Sequence, residues 1–534
     1  MPTPPAADPT ARPTAEMTAD PTAEMTAEMT AGPTAEMTAD RRGDLHADRP
    51  ARDLCALVKA YDVRGLVGEQ LDADVARALG AAFAEEVART GDAGAPPASR
   101  VVVGHDMRPS SPELAGAFAD GVAGRGLDVV LAGLCSTDGL YYGSGALDAP
   151  GAMFTASHNP AEYNGIKVCR AGARPISLDT GLARIRDRAQ QFLDEGAPGR
   201  PGTVMEPGEG GRRGEVVEQN LLRGYAAYLR DLVDLSGIRP LRVVVDAGNG
   251  MAGLTTPAVL GTAAGLPALP VEVVPLYFEL DGMFPNHEAN PLEPANLRDL
   301  QAAVVREKGD IGLAFDGDAD RCFVVDEKGD PVTPSAVTAL VARREIAKER
   351  ACGRTPTVIY NLITSRAVPE AIAEAGGRAV RTRVGHSFIK AEMAREQAVF
   401  GGEHSAHYYF RDFWFADTGM LAALHVLAAL GRQDGPLSAL MAGEERYVGS
   451  GEINSRVADV VAVTARVEAR FAERPGVRID RLDGLTVSHP QAPMWWFNLR
   501  PSNTEPLLRL NAEAVDAATM SRLRDEVLRL VRVG

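Results

Sequence analysis

The sequence predicts an α/β protein in which three similar mixed α/β domains are followed by a smaller α+β domain. Two observations carry this prediction. Short apolar runs with strand character alternate with segments whose apolar residues recur every three or four positions, as in helices that pack on a mostly parallel sheet. This rhythm begins near residue 54 and restarts at residues 241–245 and 357–360. We therefore expect one kind of domain to occur three times.

The elements of the first domain follow in order. The apolar residues that share one helical face of segment 71–90 are Leu71, Val75, Leu79, Phe83 and Val87. Residues 101–103 form a short predicted strand, and residues 127–131 form the next one. Between them, Ser111 and Pro112 predict a helix start, since serine caps a helix and proline fits its first turn.

The later elements repeat this pattern until about residue 445. Strands are predicted at 311–315 and 322–325. The elements predicted in the C-terminal part are a helix at 457–472, strands at 485–487 and 495–499, and a closing helix at 520–533. Glycine-marked segments at 201–214 and 443–451 indicate breaks. The predicted domains are a low-complexity tail at 1–52, α/β domains at 53–203, 204–330 and 331–445, and the α+β domain at 446–534.

The N-terminal tail carries a short repeat. The residues Pro-Thr-Ala-Glu-Met-Thr-Ala-Asp occur at 13–20 and again at 33–40. The repeat holds no aromatic or β-branched aliphatic residue, so it buries too little apolar surface to offset its ordering entropy. The tail also lacks the apolar core of a signal peptide and the acid-free basic character of a mitochondrial presequence. We expect a disordered extension, with a docking or spacer role as the alternative.

The composition excludes several classes of protein. The 534 residues include 56 Lys and Arg against 72 Asp and Glu, and the formal net charge of −16 argues against a nucleic-acid partner. No apolar run approaches the length of a membrane span, so no membrane partner is expected. The five scattered cysteines contain no Cys-x-x-Cys pair and fit a reducing compartment. A cytoplasmic protein is expected, and a monomer and a homodimer are both left open.

The Ser157 loop (residues 155–160, Thr-Ala-Ser-His-Asn-Pro) is the first of four segments that carry candidate chemistry. Nearby Asn-Pro and Asn-Gly dipeptides predict turns, so Ser157 is expected on a tight, accessible loop just after a strand. A serine beside His158 could be a nucleophile, because a hydroxyl needs a nearby base for its activation. The alternative is that Ser157 caps the next segment.

The Asp316 loop (residues 316–321, Asp-Gly-Asp-Ala-Asp-Arg) is the second segment. The carboxylates of Asp316, Asp318 and Asp320 can converge only on a bent loop, where a hard divalent cation would offset their charge. Mg²⁺ suits such oxygens and leaves positions open for a phosphate oxygen. An acidic surface loop and a Ca²⁺ site are alternatives. The EF-hand pattern lacks its final Glu, and the haloacid-dehalogenase pattern fails because Asp320 stands where Thr or Val is needed.

The Glu403 loop (residues 402–407, Gly-Glu-His-Ser-Ala-His) is the third segment, and Gly385, His386 and Lys390 precede it. Carboxylate, hydroxyl and imidazole groups on a loop that starts with glycine suit the recognition of a polyhydroxylated ligand. The alternative is an ordinary polar loop.

The Arg500 loop (residues 500–506, Arg-Pro-Ser-Asn-Thr-Glu-Pro) is the fourth segment. A guanidinium group followed by hydroxyls and successive backbone N–H groups can bind an anion. The alternative is a rigid turn between two strands.

Together with residues 59–65 (Lys-Ala-Tyr-Asp-Val-Arg-Gly), these four loops occur in the order found in the α-D-phosphohexomutases. From about residue 54 to residue 534, the chain most resembles the phosphomannomutase/phosphoglucomutase branch of that family. The resemblance implies three similar α/β domains and a fourth, TATA-binding-protein-like domain around a central cleft. Each domain would then contribute one loop to a single site.

The resemblance assigns the phosphoryl chemistry to the first loops. It implies that Ser157 is a phosphoserine that donates and recovers the phosphoryl group, and that its phosphate completes a Mg²⁺ site. The implied carboxylate ligands are Asp316, Asp318 and Asp320. The residues implied to flank the phosphoserine or the metal are Arg64, His158, Lys167 and Arg321. Either Lys167 or His386 is implied to transfer the proton of the sugar hydroxyl.

The resemblance assigns substrate binding to the other two loops. Glu403 and Ser405 would bind sugar hydroxyls, and His407 would help to hold the substrate. The residues implied to clamp the phosphate that is not transferred are Arg500, Ser502, Asn503 and Thr504.

The implied activity is the interconversion of mannose 6-phosphate and mannose 1-phosphate, with the glucose phosphates as further substrates. Hexose 1,6-bisphosphate would be both intermediate and activator. The alternatives are a phosphoglucomutase, a phosphoglucosamine mutase, a Mg²⁺-dependent phosphatase and a catalytically silent sugar-phosphate-binding protein. Asn503 argues against a phosphoglucosamine mutase, whose members usually have glycine there.

Two alanines depart from the family pattern. Ala319 and Ala406 each stand where glycine is often found, in the Asp316 loop and the Glu403 loop respectively. Ala319 is expected to be tolerated because alanine is still small, whereas Ala406 bears on the choice of sugar.

Overall fold

The computed structural model describes residues 53–89, 97–195, 212–501 and 507–532. The predicted tail at 1–52 and most of the predicted linker at 201–214 lie outside the described residues. Residues 502–504 of the Arg500 loop lie outside them as well. Among the described helices, none is long and apolar enough to cross a membrane.

The first sheet contains seven strands. They are β1 (Asp62–Leu66), β2 (Arg100–His105), β3 (Asp128–Leu134), β4 (Gly151–Phe154), β5 (Tyr163–Arg170), β6 (Arg174–Pro175) and β7 (Val216–Glu218). Their order is β1-β5-β4-β2-β3-β7, with β6 on β5. The accompanying helices are α1 (Leu54–Leu57), α2 (Ala73–Arg89), α3 (Ser111–Gly124), α4 (Thr137–Ala146) and α5 (Leu182–Asp194). Strand β7 joins this sheet although it lies beyond residue 203.

The second sheet contains five strands. They are β8 (Leu241–Asp246), β9 (Val271–Leu276), β10 (Ile311–Phe315), β11 (Cys322–Val325) and β12 (Pro331–Val332), in the order β12-β11-β10-β8-β9. The accompanying helices are α6 (Leu222–Leu232), α7 (Ala252–Val259) and α8 (Arg298–Glu307). Every residue of β10 is buried, as expected of an inner strand.

The third sheet also contains five strands. They are β13 (Thr357–Asn361), β14 (Arg378–Thr382), β15 (Phe400–Gly402), β16 (Tyr408–Phe410) and β17 (Ala416–Asp417), in the order β14-β13-β15-β16-β17. The accompanying helices are α9 (Pro334–Ala351), α10 (Ala367–Glu374), α11 (His386–Glu396), α12 (Gly419–Gly431) and α13 (Leu437–Met441).

The fourth sheet is entirely antiparallel. Its strands are β18 (Val448–Arg456), β19 (Arg478–Asp480), β20 (Leu485–His489), β21 (Trp495–Pro501) and β22 (Leu507–Ala514), in the order β18-β22-β21-β20-β19. Its helices are α14 (Val460–Ala472) and α15 (Ala517–Arg532). Apolar side chains of both helices and of the sheet form a separate core. The prediction that a different, C-terminal domain follows the three similar ones is confirmed.

The first three sheets share one strand order. In each, a first strand pairs in parallel with a second and a third strand, and the chain then returns as an antiparallel fourth strand. The sets are β2, β3, β4 and β5; β8, β9, β10 and β11; and β13, β14, β15 and β16. The predicted threefold repetition is therefore confirmed. The Ser157, Asp316 and Glu403 loops are the equivalent connections from the third strand to the fourth.

Candidate active site

A cavity of about 200 Å³ lies where residues of the first three sheets and their helices meet. Sequence-predicted residues in its lining are Arg64, Ser157, His158, Lys167, Asp320, Arg321 and His407. Residues as far apart in the sequence as Arg64 and His407 therefore line the same cavity.

Ser157 follows β4 and adopts a left-handed conformation, with φ of +50°. Its hydroxyl donates to Asp316 Oδ2 at 2.9 Å and lies 3.3 Å from His158 Nδ1. The loop is exposed at His158 and Pro160, but Ser157 itself is only 5% exposed and lies in the wall of the cavity. The Asp316 loop covers it so closely that a Cβ added to Gly317 would lie 2.4 Å from the Ser157 carbonyl oxygen.

Arg108 is a buried residue that binds the backbone of the Ser157 loop, and it was not predicted from the sequence. Its guanidinium donates hydrogen bonds of 2.7–3.0 Å to the backbone carbonyls of four residues. These are Ser157, Asn159, Pro160 and Tyr163. Arg108 is 1% exposed, and this buried cation fixes a loop whose key residue is in a strained conformation. The sequence feature that could have identified Arg108 is its position shortly after the predicted strand at 101–103.

The Asp316 loop joins β10 to β11 and brings its three carboxylates together, as the alternate spacing predicted. Asp316, Asp318 and Asp320 are all buried, and one carboxylate oxygen from each lies within 4.8 Å of the others. Ala319 has a φ of +60°, which is the conformation that glycine adopts more easily.

Lys167, on β5 of the first sheet, is the main counterion of this loop. Its Nζ lies 2.6 Å from Asp318 Oδ2 and 2.6 Å from Asp320 Oδ2. Thr137, at the start of α4, also donates to Asp318 Oδ2 at 2.6 Å. Asp318 and Asp320 of the second sheet's loop are thus bound by side chains of the first domain.

The pKa values follow from these contacts. Burial alone would lower the pKa of Lys167, but Asp318 and Asp320 outweigh it and hold that pKa well above its usual value. Burial alone would raise the pKa of Asp318, but Lys167 outweighs it and holds that pKa well below the usual range. Burial raises the pKa of Asp316 despite the opposing effect of Arg321. Lys167 is therefore a cation at neutral pH.

The donor set of the Asp316 loop fits a hard divalent cation. Asp318 Oδ1 and Asp320 Oδ1 are buried and accept no hydrogen bond from any described residue. Buried carboxylate oxygens without a donor are costly, and Mg²⁺ is bound through such oxygens. The Ser157 hydroxyl beside Asp316 adds a fourth oxygen to the group.

Three cationic or basic side chains surround Ser157. Arg321 donates from Nε to Asp316 Oδ2 at 2.9 Å and lies 2.6 Å from His158 Nδ1 through Nη2. Arg64 donates to the Ala156 carbonyl and forms an ion pair with Asp62 at 2.8 Å. Desolvation and the two guanidinium groups hold the pKa of His158 well below its ordinary value, so its imidazole is neutral at neutral pH.

The Glu403 loop joins β15 to β16, and its carboxylate is held by neutral donors. Glu403 Oε1 accepts from Asn361 Nδ2 at 3.1 Å and from the Gly385 backbone N–H at 3.2 Å, and Glu403 Oε2 accepts from Tyr409 OH at 2.6 Å. Glu403 is 2% exposed. Its carboxylate therefore already has three protein partners, all from the third sheet and its connections.

His407 links the Glu403 loop to the Asp316 loop. Its backbone forms an isolated antiparallel bridge with Arg321, and its Nε2 lies 3.7 Å from Asp320 Oδ1. Ser405 Oγ lies 3.0 Å from His407 Nδ1. The structure thus brings His407 beside Asp320, one of the predicted metal ligands, and brings Ser405 beside His407.

Lys390 is a further cation in the cavity wall, and it was not assigned to the site from the sequence. Its Nζ lies 2.6 Å from Asp417 Oδ1 and 4.2 Å from the centre of the Tyr141 ring. Asp417 also lies close to Asp320 and His407. Lys390 lies on α11, the helix that begins at His386, whose side-chain position is not among the described features.

Arg500, near the end of β21, is separate from this cavity lining. Its guanidinium is 3.6 Å from Glu452 and 3.9 Å from Asp483, and its buried Nη1 has no hydrogen-bond partner among the described residues. A buried donor of this kind suits an anion. Ser502, Asn503 and Thr504 follow it but lie outside the described residues.

The comparison with protein families gives one result for all four parts of the chain. The chain matches the families described as phosphoglucomutase/phosphomannomutase alpha/beta/alpha domain I over residues 56–193, domain II over 223–329, domain III over 333–447 and the C-terminal domain over 452–530.

Individual relatives agree with this result. The phosphohexose mutases of Xanthomonas campestris pv. campestris are 40% identical over 481 residues, which cover 89% of this chain and 98% of the relative. A phosphomannomutase of Escherichia coli is 36% identical over 480 residues, again covering 89% and 98%. The crystal structure of a phosphoglucomutase/phosphomannomutase family protein from Burkholderia thailandensis matches with a TM-score of 0.75 and 32% identity, covering 89% of this chain and 97% of that one.

The chain belongs to the phosphoglucomutase/phosphomannomutase family, the α-D-phosphohexomutases. The predicted family is confirmed, and the protein is an isomerase, a phosphohexomutase.

Proposed function

We propose that this phosphohexomutase interconverts mannose 6-phosphate and mannose 1-phosphate, and accepts the glucose phosphates as well, through a phosphoserine at Ser157. One observation carries the proposal. The Ser157 hydroxyl lies 2.9 Å from a buried carboxylate of the Asp316 loop, on the wall of a cavity that it shares with several cations. Phosphoryl transfer depends mainly on positioning and charge neutralisation, and this arrangement supplies both.

The reaction consists of two transfers in opposite directions. In the first, the bond between phosphorus and Ser157 Oγ breaks and a bond between phosphorus and a sugar hydroxyl oxygen forms, which gives hexose 1,6-bisphosphate. The intermediate then turns end for end, and its other phosphoryl group returns to Ser157. Hexose 1,6-bisphosphate is therefore also the activator that phosphorylates an unphosphorylated enzyme.

The Asp316 loop would hold Mg²⁺ through Asp316, Asp318 and Asp320, together with an oxygen on Ser157. When bound, Mg²⁺ would neutralise charge on the transferring phosphoryl group. Arg64, Lys167 and Arg321 would supply further positive charge to the same group. Arg108 would keep Ser157 in place during both transfers.

In the first transfer the attacking sugar hydroxyl loses its proton, and in the return transfer the Ser157 hydroxyl loses its proton while the departing sugar oxygen gains one. A nearby group must therefore accept the sugar proton and give it back. Lys167 and His386 are the two candidate acceptors. Lys167 is held as a cation by Asp318 and Asp320, so it can accept a proton only when those ion pairs weaken. Comparison of Lys167→Arg with His386→Asn separates them, because the true acceptor is needed for turnover and the other residue mainly affects binding.

The Glu403 and Arg500 loops would bind the rest of the substrate. Glu403, Ser405 and His407 would contact sugar hydroxyls. The residues proposed to clamp the phosphate that is not transferred are Arg500, Ser502, Asn503 and Thr504. Mannose is favoured because the E. coli relative is named a phosphomannomutase, and glucose is included because the B. thailandensis protein is described as a phosphoglucomutase/phosphomannomutase family protein.

A coupled assay tests the proposal. Mannose 1-phosphate, glucose 1-phosphate and glucosamine 1-phosphate are compared at equal concentration with catalytic hexose 1,6-bisphosphate. We expect the highest kcat/KM for mannose 1-phosphate, and a loss of at least about 10³-fold in Ser157→Ala, as for removal of a covalent nucleophile. Retention of most turnover in Ser157→Ala would overturn the mechanism. Accumulation of inorganic phosphate in place of the isomer would instead indicate a phosphatase.

A further inference from the structure

We propose that Thr137, in the first turn of α4, is a positioning residue that orients Asp318 for the divalent cation. The inference rests on the proposed function, which assigns that cation to the Asp316 loop. Thr137 does not itself line the cavity, and the described hydrogen bond of its side chain is to Asp318, so its effect would pass through Asp318.

Thr137 binds Asp318 twice. Its hydroxyl donates to Asp318 Oδ2 at 2.6 Å, and its backbone N–H donates to the Asp318 carbonyl at 3.0 Å. Both residues have no exposed surface. One contact fixes the backbone of the loop and the other fixes the rotation of the carboxylate, so the two together define where the second oxygen points.

The two carboxylate oxygens of Asp318 differ in their contacts, because the protein binds one of them and leaves the other for a ligand. Thr137 and Lys167 both bind Oδ2, while Oδ1 is buried and has no donor among the described residues. If the Thr137 hydroxyl were absent, Lys167 alone would hold Oδ2, and the carboxylate could rotate about a single ion pair. Thr137 therefore keeps the carboxylate in the orientation in which Oδ2 is bound by the protein and Oδ1 is left for a ligand.

The first turn of α4, which carries Thr137, is held by hydrogen bonds that involve Ser136, Tyr225 and Thr418. Ser136 caps α4 by accepting from the Gly139 N–H at 3.1 Å. The neighbouring Asp138 accepts from Tyr225 OH at 2.7 Å and from Thr418 Oγ1 at 2.6 Å. Tyr225 lies on α6 and Thr418 caps α12, so the turn is anchored to the parts of the chain that accompany the second and third sheets.

Such an anchored hydrogen bond to a metal ligand has a characteristic consequence. Residues that orient the ligands of a metal commonly change its affinity by about 10–100-fold when they are replaced, without touching the metal. We therefore expect Thr137 to control the affinity for Mg²⁺ more than the affinity for the sugar phosphate.

The test is calorimetric titration of the unphosphorylated full-length enzyme with Mg²⁺, alongside urea unfolding of each variant. Thr137→Val keeps the shape and removes the hydroxyl, and we expect its Mg²⁺ affinity to fall by at least about tenfold. Thr137→Ser keeps the hydroxyl and should retain near wild-type affinity. In turnover assays, the Mg²⁺ concentration for half-maximal rate should rise in Thr137→Val while the KM for hexose phosphate stays nearly constant.

Ser144→Ala is the matched control. Ser144 lies on the same helix, is equally buried, and donates its hydroxyl to the Ala149 carbonyl at 2.7 Å rather than to the Asp316 loop. It should lose stability but keep its Mg²⁺ affinity. If Thr137→Val does not fold, Thr137→Ala and Thr137→Ser decide the matter, because only the alanine variant should lose affinity.

Three outcomes overturn the inference. Unchanged Mg²⁺ affinity in Thr137→Val would show that the hydroxyl does not orient Asp318. An equal loss in Ser144→Ala would show that the effect is general destabilisation. Absence of Mg²⁺ binding by the wild-type enzyme would overturn both this inference and the proposed metal site, whereas the first two outcomes leave the proposed function intact.

Discussion

The Asp316 loop and the Glu403 loop occupy the same position in two sheets of the same strand order, yet their buried carboxylates are stabilised in opposite ways. Asp318 and Asp320 are paired with Lys167, which belongs to a different sheet. Glu403 is held by Asn361, Gly385 and Tyr409, all of which belong to its own sheet or its connections.

The different partners of these carboxylates indicate which contacts each loop requires for its conformation. Within the Asp316 loop, Arg321 compensates Asp316, but Asp318 and Asp320 are paired with Lys167 of the first sheet, so the geometry of the loop depends on the contact between the two sheets. The carboxylate of Glu403, in contrast, is compensated by local neutral donors and has no partner from another sheet among these hydrogen bonds. We infer that the Asp316 loop is the more sensitive of the two to the loss of a single partner.

The largest expected effect comes from Lys167→Met. This change leaves two buried carboxylates without their cation, and breaking a buried ion pair costs about 3–5 kcal/mol of unfolding free energy. Urea unfolding measures this loss, and turnover should also be nearly abolished. Lys348→Met is the control, because its pair with Asp412 is largely exposed and should contribute about 0–1 kcal/mol. Similar losses in both variants would contradict the account.

Glu403→Gln should have a smaller effect on stability. Glutamine keeps an acceptor for Asn361 and Gly385 but turns an amide toward the Tyr409 hydroxyl, at a cost of about 1.5 kcal/mol. We also expect KM to rise more than kcat falls, since the proposed role of Glu403 is to bind sugar hydroxyls. If Glu403→Gln lost as much unfolding free energy as Lys167→Met, the proposed difference between the two loops would be contradicted.

Ala319→Gly and Ala406→Gly test a feature that the two loops share. Their φ values are +60° and +64°, and an L-residue with a Cβ is disfavoured there. The expectation that Ala319 is tolerated at little cost therefore overlooked its backbone conformation. Each glycine variant should gain about 0.5–1 kcal/mol of unfolding free energy. Ala303→Gly, within helix α8, should lose about as much, and a loss in the loop variants would contradict the argument.

The smallest expected effect depends on pH. His287 Nε2 lies 3.1 Å from Asp246 Oδ2, at the end of the strand beside β10. Partial burial lowers the pKa of His287, but Asp246 outweighs it and raises that pKa above the ordinary value of 6.5. The pair therefore contributes its full stability below that value and loses it as pH rises through the raised pKa.

Unfolding of wild type and His287→Asn at several pH values checks this sign. The difference in free energy of unfolding should be about 0.5–1 kcal/mol below pH 6 or so, and should shrink in alkaline solution. A difference that grows with pH would show that the histidine is stabilised in its neutral form.

Much of the fold could be predicted from the sequence, because the period of the apolar residues reflects local structure. The predicted helix at 71–90 is α2, the predicted strand at 311–315 is β10, and the closing helix is α15. The candidate loops were recognisable because their functional groups are neighbours in the chain. Three of them share one structural position, and that equivalence required the sheet order.

The parts that sequence reasoning missed depend on contacts between distant segments. Arg108 binds carbonyls about fifty positions away, and Thr137 binds Asp318, which is 181 positions away. Neither residue belongs to one of the five segments that carried the resemblance. The burial of Ser157 was missed for the same reason, because it results from the Asp316 loop that packs on it. No pattern of neighbouring residues contains this information.

The central claim is that Ser157 carries the phosphoryl group, and one measurement tests it most directly. Unphosphorylated enzyme is incubated with hexose 1,6-bisphosphate, and the intact mass and fragment masses are then determined. We predict the gain of a single phosphoryl group, located on Ser157, which is lost again when hexose phosphate and Mg²⁺ are added. A phosphoryl group on another residue, or full turnover without any phosphorylation of Ser157, would contradict the account.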